Sequence, residues 1–145
     1  MSYNIFNTIG DFAPYGFWLI TILSLLGNYP LIIVFIIGVL LNSLLHSILK
    51  YILKNYLGLF GIASLSGHFQ ALAFCFTFYI LSHKTINPYI ILLFLFLALC
   101  CLLNCIMFNY HTTSEIILGI IFGVLFSYFY FLKIERHLYS LFFKT

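Results

Sequence analysis

Charge is what this chain has least of. Six of its 145 residues are Lys or Arg and three are Asp or Glu, together 6%, where a soluble domain carries roughly a quarter. The scarcity of acid leaves no carboxylate pair of the kind that holds magnesium. The six cations are too thinly spread to form the basic face that nucleic-acid binding requires, so no nucleic-acid partner is expected. Cysteine is also scarce. Cys75, Cys100, Cys101 and Cys105 fall inside apolar runs, without a CxxC pair or a histidine at ligand spacing, and read as small buried apolar residues. Cys101 and Cys105 share a helix face, but two thiols on one helix lie too far apart to bridge. No metal and no cofactor is expected. Neither a basic flank nor a small-residue cleavage site accompanies the first apolar run, so a removable signal peptide is not expected.

What remains is apolar. Hydrophobic residues make up 64% of the chain and aromatic ones 21%, and the mean hydropathy is +1.16. Such a chain has lipid as its solvent, and the bilayer is its first partner. Residues 1–145 read as a single membrane domain with five spans, Tyr15 to Leu26, Leu31 to Leu49, His68 to Leu81, Tyr89 to Phe108 and Ser114 to Leu132. Gly27-Asn28-Tyr29-Pro30 closes the first and opens the second, and residues 50–67 form a longer connection. Each span must be a helix, because backbone groups in hydrocarbon have to be satisfied within the segment and no barrel-type alternation is present. The expected fold is an all-α integral membrane protein, a bundle of about five transmembrane helices.

Two polar stretches border these spans: Leu65-Ser66-Gly67-His68 and His111-Thr112-Thr113-Ser114-Glu115. Five crossings put the N-terminus, the 50–67 connection and the 108–114 turn on one side, so Lys50, His68 and His111 share a face. Lys84, Lys133, Arg136 and Lys144 on the other side outnumber Lys50 and Lys54. That bias places the C-terminus in the cytosol and the polar cluster on the extracytosolic or lumenal side. Ser66 is a favoured N-cap, and the amides of a helix start attract an anion such as phosphate; the plainer reading is that Ser66 only caps and His68 sits in the headgroup layer. His111 and Glu115 are four apart, which lets the carboxylate accept the imidazole N–H and sharpen the other nitrogen as a nucleophile. Thr112-Thr113-Ser114-Glu115 is equally a capping box that needs no chemistry.

In this order the two stretches resemble the type 2 phosphatidic acid phosphatase superfamily, which also includes vanadium haloperoxidases and polyprenyl diphosphate phosphatases. The family's middle motif, P-S-G-H, stands here as Leu65-Ser66-Gly67-His68, without the proline. Its last motif, S-R-x5-H-x3-D-V-x2-G, is matched by His111, Glu115, Ile116 and Gly119, and its first, K-x6-R-P, by Lys50 alone. Tyr110-His111-Thr112 and Gly67-His68-Phe69-Gln70 look most like the dolichyl-diphosphatase branch. The likeness covers about residues 35–132. It implies a phosphatase that needs no metal: His111 attacks phosphorus, Glu115 orients it, and His68 protonates the leaving group and then activates water. Lys50, Ser66 and Gly67 would hold phosphate oxygens, and the substrate would be a lipid phosphate or polyprenyl diphosphate. The phosphate-binding arginines are missing. Their positions fall on Leu57, followed by Gly58, and on Cys105, preceded by Asn104. Leucine and cysteine cannot supply arginine's bidentate fork, so activity requires compensation by Lys54, Asn55 or Asn104. Without it, the chain would bind a phosphorylated lipid uncleaved or serve as a membrane scaffold.

Other polar residues carry less. His46, four before Lys50, either faces the bundle and supports the site or packs quietly. His83 and His137 read as interfacial residues of the opposite side. Gly119-Ile120-Ile121-Phe122-Gly123 is a G-x3-G packing pattern that could serve a neighbouring helix or a homodimer. Tyr15, Trp18, Tyr51, Tyr56, Tyr89, Tyr128 and Tyr130 lie near span ends, where aromatic belts form.

Overall fold

The computed structural model describes residues 5–55, 65–135 and 137, all helix or short connection. Five α-helices follow in order, α1 Ile5–Ser24, α2 Tyr29–Asn55, α3 Gly67–Ser82, α4 Pro88–Phe108 and α5 Thr113–Phe129, and a π-helical segment Tyr130–Glu135 continues α5. Three helical runs are long and apolar enough to cross a membrane, Tyr29–Asn55, Pro88–Phe108 and Thr113–Lys133. The described residues are thus all-helical, and three candidate transmembrane helices make the chain a multi-pass membrane protein by length and composition. Phe12–Ser24 and Gly67–Ser82 are apolar but shorter.

Two helices exceed their expected bounds. α1 begins about ten residues before Tyr15 and carries Pro14 inside it; the proline removes one N–H from the ladder, yet burial of Gly10, Ala13, Phe17 and Thr21 along one stripe holds the helix together. α2 continues through Asn55, so Lys50 and Lys54 stand on helical turns rather than in a connection. Leu57 and Gly58 lie outside the described residues. Between α1 and α2, Gly27 adopts a left-handed φ of 95° and the Asn28 side chain accepts from the Leu31 amide at 3.4 Å, a turn and cap that match the residue types present.

α3 is the centre of the bundle. It touches all four other helices, α5 most extensively, and its buried residues, including Phe69, Gln70, Phe74, Cys75, Phe78 and Tyr79, point in every direction. A helix enclosed on all sides has no polar face to show. α5 presses on it through small residues. A Cβ on Gly119 would stand 2.6 Å from the Ser66 carbonyl oxygen, one on Gly123 would overlap the Gln70 carbonyl, and Ser127 Oγ donates to the Phe74 carbonyl at 3.1 Å. The G-x3-G face is thus occupied within the chain and gives no argument for a homodimer. Tyr130 is no belt residue: it is buried between Phe74 and Phe126, because its hydroxyl finds the Val34 carbonyl at 2.6 Å. Tyr15, Tyr51, Tyr89 and Tyr128 are exposed as expected, and Tyr56 is outside the described residues.

Candidate functional site

The site is built where α4 turns into α5. Asn109 ends α4 in the left-handed region, φ 51°, a conformation asparagine tolerates, and the chain passes through Tyr110 and His111 to the N-cap Thr112. The Glu115 amide donates to Thr112 Oγ1 at 3.4 Å and the Thr112 amide to Glu115 Oε2 at 2.8 Å, completing the capping box. The same carboxylate oxygen accepts from His111 Nδ1 at 3.3 Å. Capping and imidazole support are therefore one arrangement and not alternatives. With Nδ1 donating, the lone pair of a neutral His111 ring resides on Nε2. Glu115 itself is buried, which a carboxylate sustains only with partners of this kind.

The start of α3 rests on this turn. Ser66 is the N-cap residue, but its hydroxyl makes no capping bond, contrary to the expectation from its residue type. Instead its backbone amide donates to the Glu115 carbonyl at 3.3 Å, and its carbonyl lies over Gly119. A larger residue at 119 would part the two helix ends. The result is a cavity of about 300 Å³ lined by His68, Cys101, Asn104, Cys105, Tyr110 and His111. Both histidines expected to do chemistry thus face one space, together with Asn104 and with Cys105, which holds the place of a family arginine. Cys101 and Cys105 are cavity walls as well as buried residues. Asn104 is seated against α1, where any Cβ on Gly10 would overlap its side chain.

Two buried side-chain atoms find no hydrogen-bond partner among the described residues, Asn104 Oδ1 in the cavity wall and Ser66 Oγ two residues before His68. Buried polar atoms are nearly always paired, and leaving one unpaired costs about 1–3 kcal/mol. A serine hydroxyl can donate, and an asparagine amide can do so after a half-turn. Both are suited to the oxygens of an anion. Lys50 and Lys54 are exposed on the last turns of α2 and do not line the cavity. Gly67 lies against His46: a Cβ there would stand 3.2 Å from His46 Nε2.

That contact leads to a group of residues the sequence reading did not assemble. His46 Nδ1 bonds to Gln70 Oε1 at 3.1 Å, and Gln70 Nε2 donates to the Asn42 carbonyl at 3.3 Å and to Asn42 Oδ1 at 3.0 Å. Gln70 is fully buried and Asn42 nearly so. A visible signal was the spacing Asn42, His46, Lys50, Lys54, a polar residue every four positions along α2. At the other end of α3, His83 is no simple interfacial residue: its Nε2 bonds to the Ser24 carbonyl at 2.9 Å and so ties α1 to α3. His137 is exposed. No family model, curated protein or solved structure matches the chain.

Proposed function

We propose that the chain is a membrane-embedded phosphatase that hydrolyses a lipid phosphate or polyprenyl diphosphate through a phosphohistidine. The observation that carries this reading is the shared cavity of His68 and the His111–Glu115 pair. All five helices cross the bilayer, and the cavity opens on the extracytosolic or lumenal side. In the first step His111 Nε2 attacks phosphorus, the bond to the leaving oxygen breaks, and His68 gives that oxygen a proton. In the second, His68 takes a proton from water, the resulting hydroxide attacks phosphorus, and the P–N bond breaks to release phosphate. Glu115 stabilises the positive charge on His111 in between. Ser66 Oγ, the Gly67 amide and the Asn104 amide hold the non-bridging oxygens, and Lys50 and Lys54 draw the anionic headgroup to the rim.

An apolar groove supports a lipid substrate. Leu72 and Phe76 of α3, Phe94 and Ala98 of α4, and Ile120 and Val124 of α5 line a space of about 170 Å³. His68, Leu72 and Phe76 are spaced i, i+4, i+8 and Ala98, Cys101, Cys105 are spaced i, i+3, i+7, so cavity and groove follow the same faces of two helices. A tail leaving the phosphate enters the groove one turn below. Ala98→Phe, which fills that space, is expected to lower kcat/KM for a long-chain phosphate relative to a short-chain one by about 10-fold, the scale of a few lost methylene contacts. Equal losses for both chain lengths would argue against this path.

Cys105 favours a second reading, in which the headgroup is bound and not cleaved, since a missing phosphoryl clamp costs several kcal/mol of barrier. Phosphate release from phosphatidate and from dolichyl or undecaprenyl diphosphate by the purified protein decides between them. Cys105→Arg should raise the rate at least ~10-fold by restoring a charge at the cavity wall. Lipid binding without any release, in both proteins, selects the second reading.

A further inference from the structure

The site as assigned so far has a deficit of positive charge. Phosphoryl transfer is helped chiefly by cations and donors placed around the equatorial oxygens, yet among the described residues no arginine lines the cavity, and Lys50 and Lys54 stand outside it. His46 is not one of the residues lining the cavity, but its ring lies against Gly67, the residue before the cavity histidine His68. Polar groups at membrane depth are expensive and normally functional, and the Asn42–Gln70–His46 chain is an unusually complete example. Gln70 Nε2 is committed to two acceptors on Asn42, which turns Oε1 toward His46 and obliges Nδ1 to be the donor. The hydrogen-bond chain therefore fixes the ring's tautomer and leaves Nε2 as the variable nitrogen. That nitrogen lies beside Gly67, the residue whose amide opens α3. The glycine matters here, because any side chain would intrude on the ring at 3.2 Å.

We infer that His46 is a third site histidine, whose Nε2 takes up a proton when a phosphoryl anion binds and donates a hydrogen bond and a positive charge to it beside the Gly67 amide. The inference rests on the phosphatase reading above. The proton comes from solvent and returns to it when inorganic phosphate leaves, so the ring acts as a charge that is present only with the ligand. Gln70 accepts from Nδ1 in both states and keeps the ring from turning away. Among the described residues, the charged or titratable groups close enough to bear on His46 electrostatically are Lys50, one turn further along α2, and His111, from the α4–α5 turn; α3 presents Gly67 and Gln70, which do not titrate. Anion binding should accordingly weaken as pH rises, since the proton must be supplied before the bond can form.

The test uses the full chain with 15N-labelled histidine in lipid nanodiscs and inorganic sulfate, a dianion whose charge does not change near neutrality. Sulfate is expected to move the His46 Nε2 resonance from its unprotonated to its protonated position and to raise its titration midpoint. His46→Gln should lower sulfate affinity about 10-fold at slightly acidic pH and flatten its pH dependence, the loss of one charge-assisted bond. A His46 resonance that sulfate leaves unmoved, whatever the other histidines do, overturns the inference, and that measurement needs only the unsubstituted protein. Protonation of His46 by sulfate in a chain that releases no phosphate would sink the hydrolytic reading and keep this one. Phosphate release with an unresponsive His46 would do the reverse.

Discussion

Replacing His111 with alanine is expected to lower phosphate release by at least ~10³-fold, the scale seen when a covalent nucleophile is removed. The fold should survive. His111 precedes the α5 N-cap, and the bonds that start the helix run between Thr112 and Glu115 without it. Its imidazole accounts for one contact to Glu115 at 3.3 Å, and losing that contact at a part-exposed site costs on the order of 1 kcal/mol. Glu115→Gln is the companion variant. It retains an oxygen for the Thr112 amide but no longer stabilises a positive imidazole, so kcat should fall while the lipid still binds. Unchanged turnover in His111→Ala, with the protein folded, would remove the phosphohistidine from the scheme altogether.

Gly123→Leu should destabilise the protein by about 3 kcal/mol or more, at the upper end of the range for overpacking. The first carbon of the new side chain would overlap the Gln70 carbonyl oxygen and stand 2.8 Å from Ala73 Cβ and 3.1 Å from the Phe74 amide. Two of those neighbours are backbone in the central helix and cannot swing aside. α5 would have to move off α3, breaking the Ser127–Phe74 bond and, further along, the Ser66–Glu115 bond that joins the two histidine-bearing ends. An unfolding titration in mixed micelles reads the effect. Ile121→Ala, on the exposed side of the same helix, serves as the comparison and should shift the midpoint far less. Similar shifts for the two would mean that α5 packs by another face.

Helix number and order, and the ends of α3 and α4, followed from apolar run length and from Gly, Asn and Pro at the turns, because hydrocarbon leaves the backbone so few options, whereas the start of α1 and the end of α2 did not. The His111–Glu115 contact was legible for the same reason, being four residues of one helical start. The misreadings concern residues whose partners are distant in sequence. Ser66 has the chemistry of a cap, but tertiary packing takes its amide to Glu115 and leaves the hydroxyl aside. Tyr130 looked like an anchor until Val34, 96 residues away, offered its carbonyl. Gly119 and Gly123 announced close packing without saying which helix would come close. Gln70 gave no local sign at all, since its meaning depends on α2 lying alongside α3. The α2 polar stripe was there to be read, and only the assumption that the helix stopped at Leu49 hid it.

The brevity of α3 has a consequence for the membrane itself. Its 16 residues rise about 24 Å, against a hydrocarbon thickness of about 30 Å. In the five-span arrangement proposed above, α3 would therefore reach across the hydrocarbon only where the bilayer yields by about 6 Å at one end. Mismatch of this kind is relieved by thinning the leaflet or by drawing water inward. On the lipid-phosphatase reading, a headgroup bound at this end would sit below the plane of its neighbours, so thicker, sterol-rich bilayers should slow its entry and thinner ones hasten it.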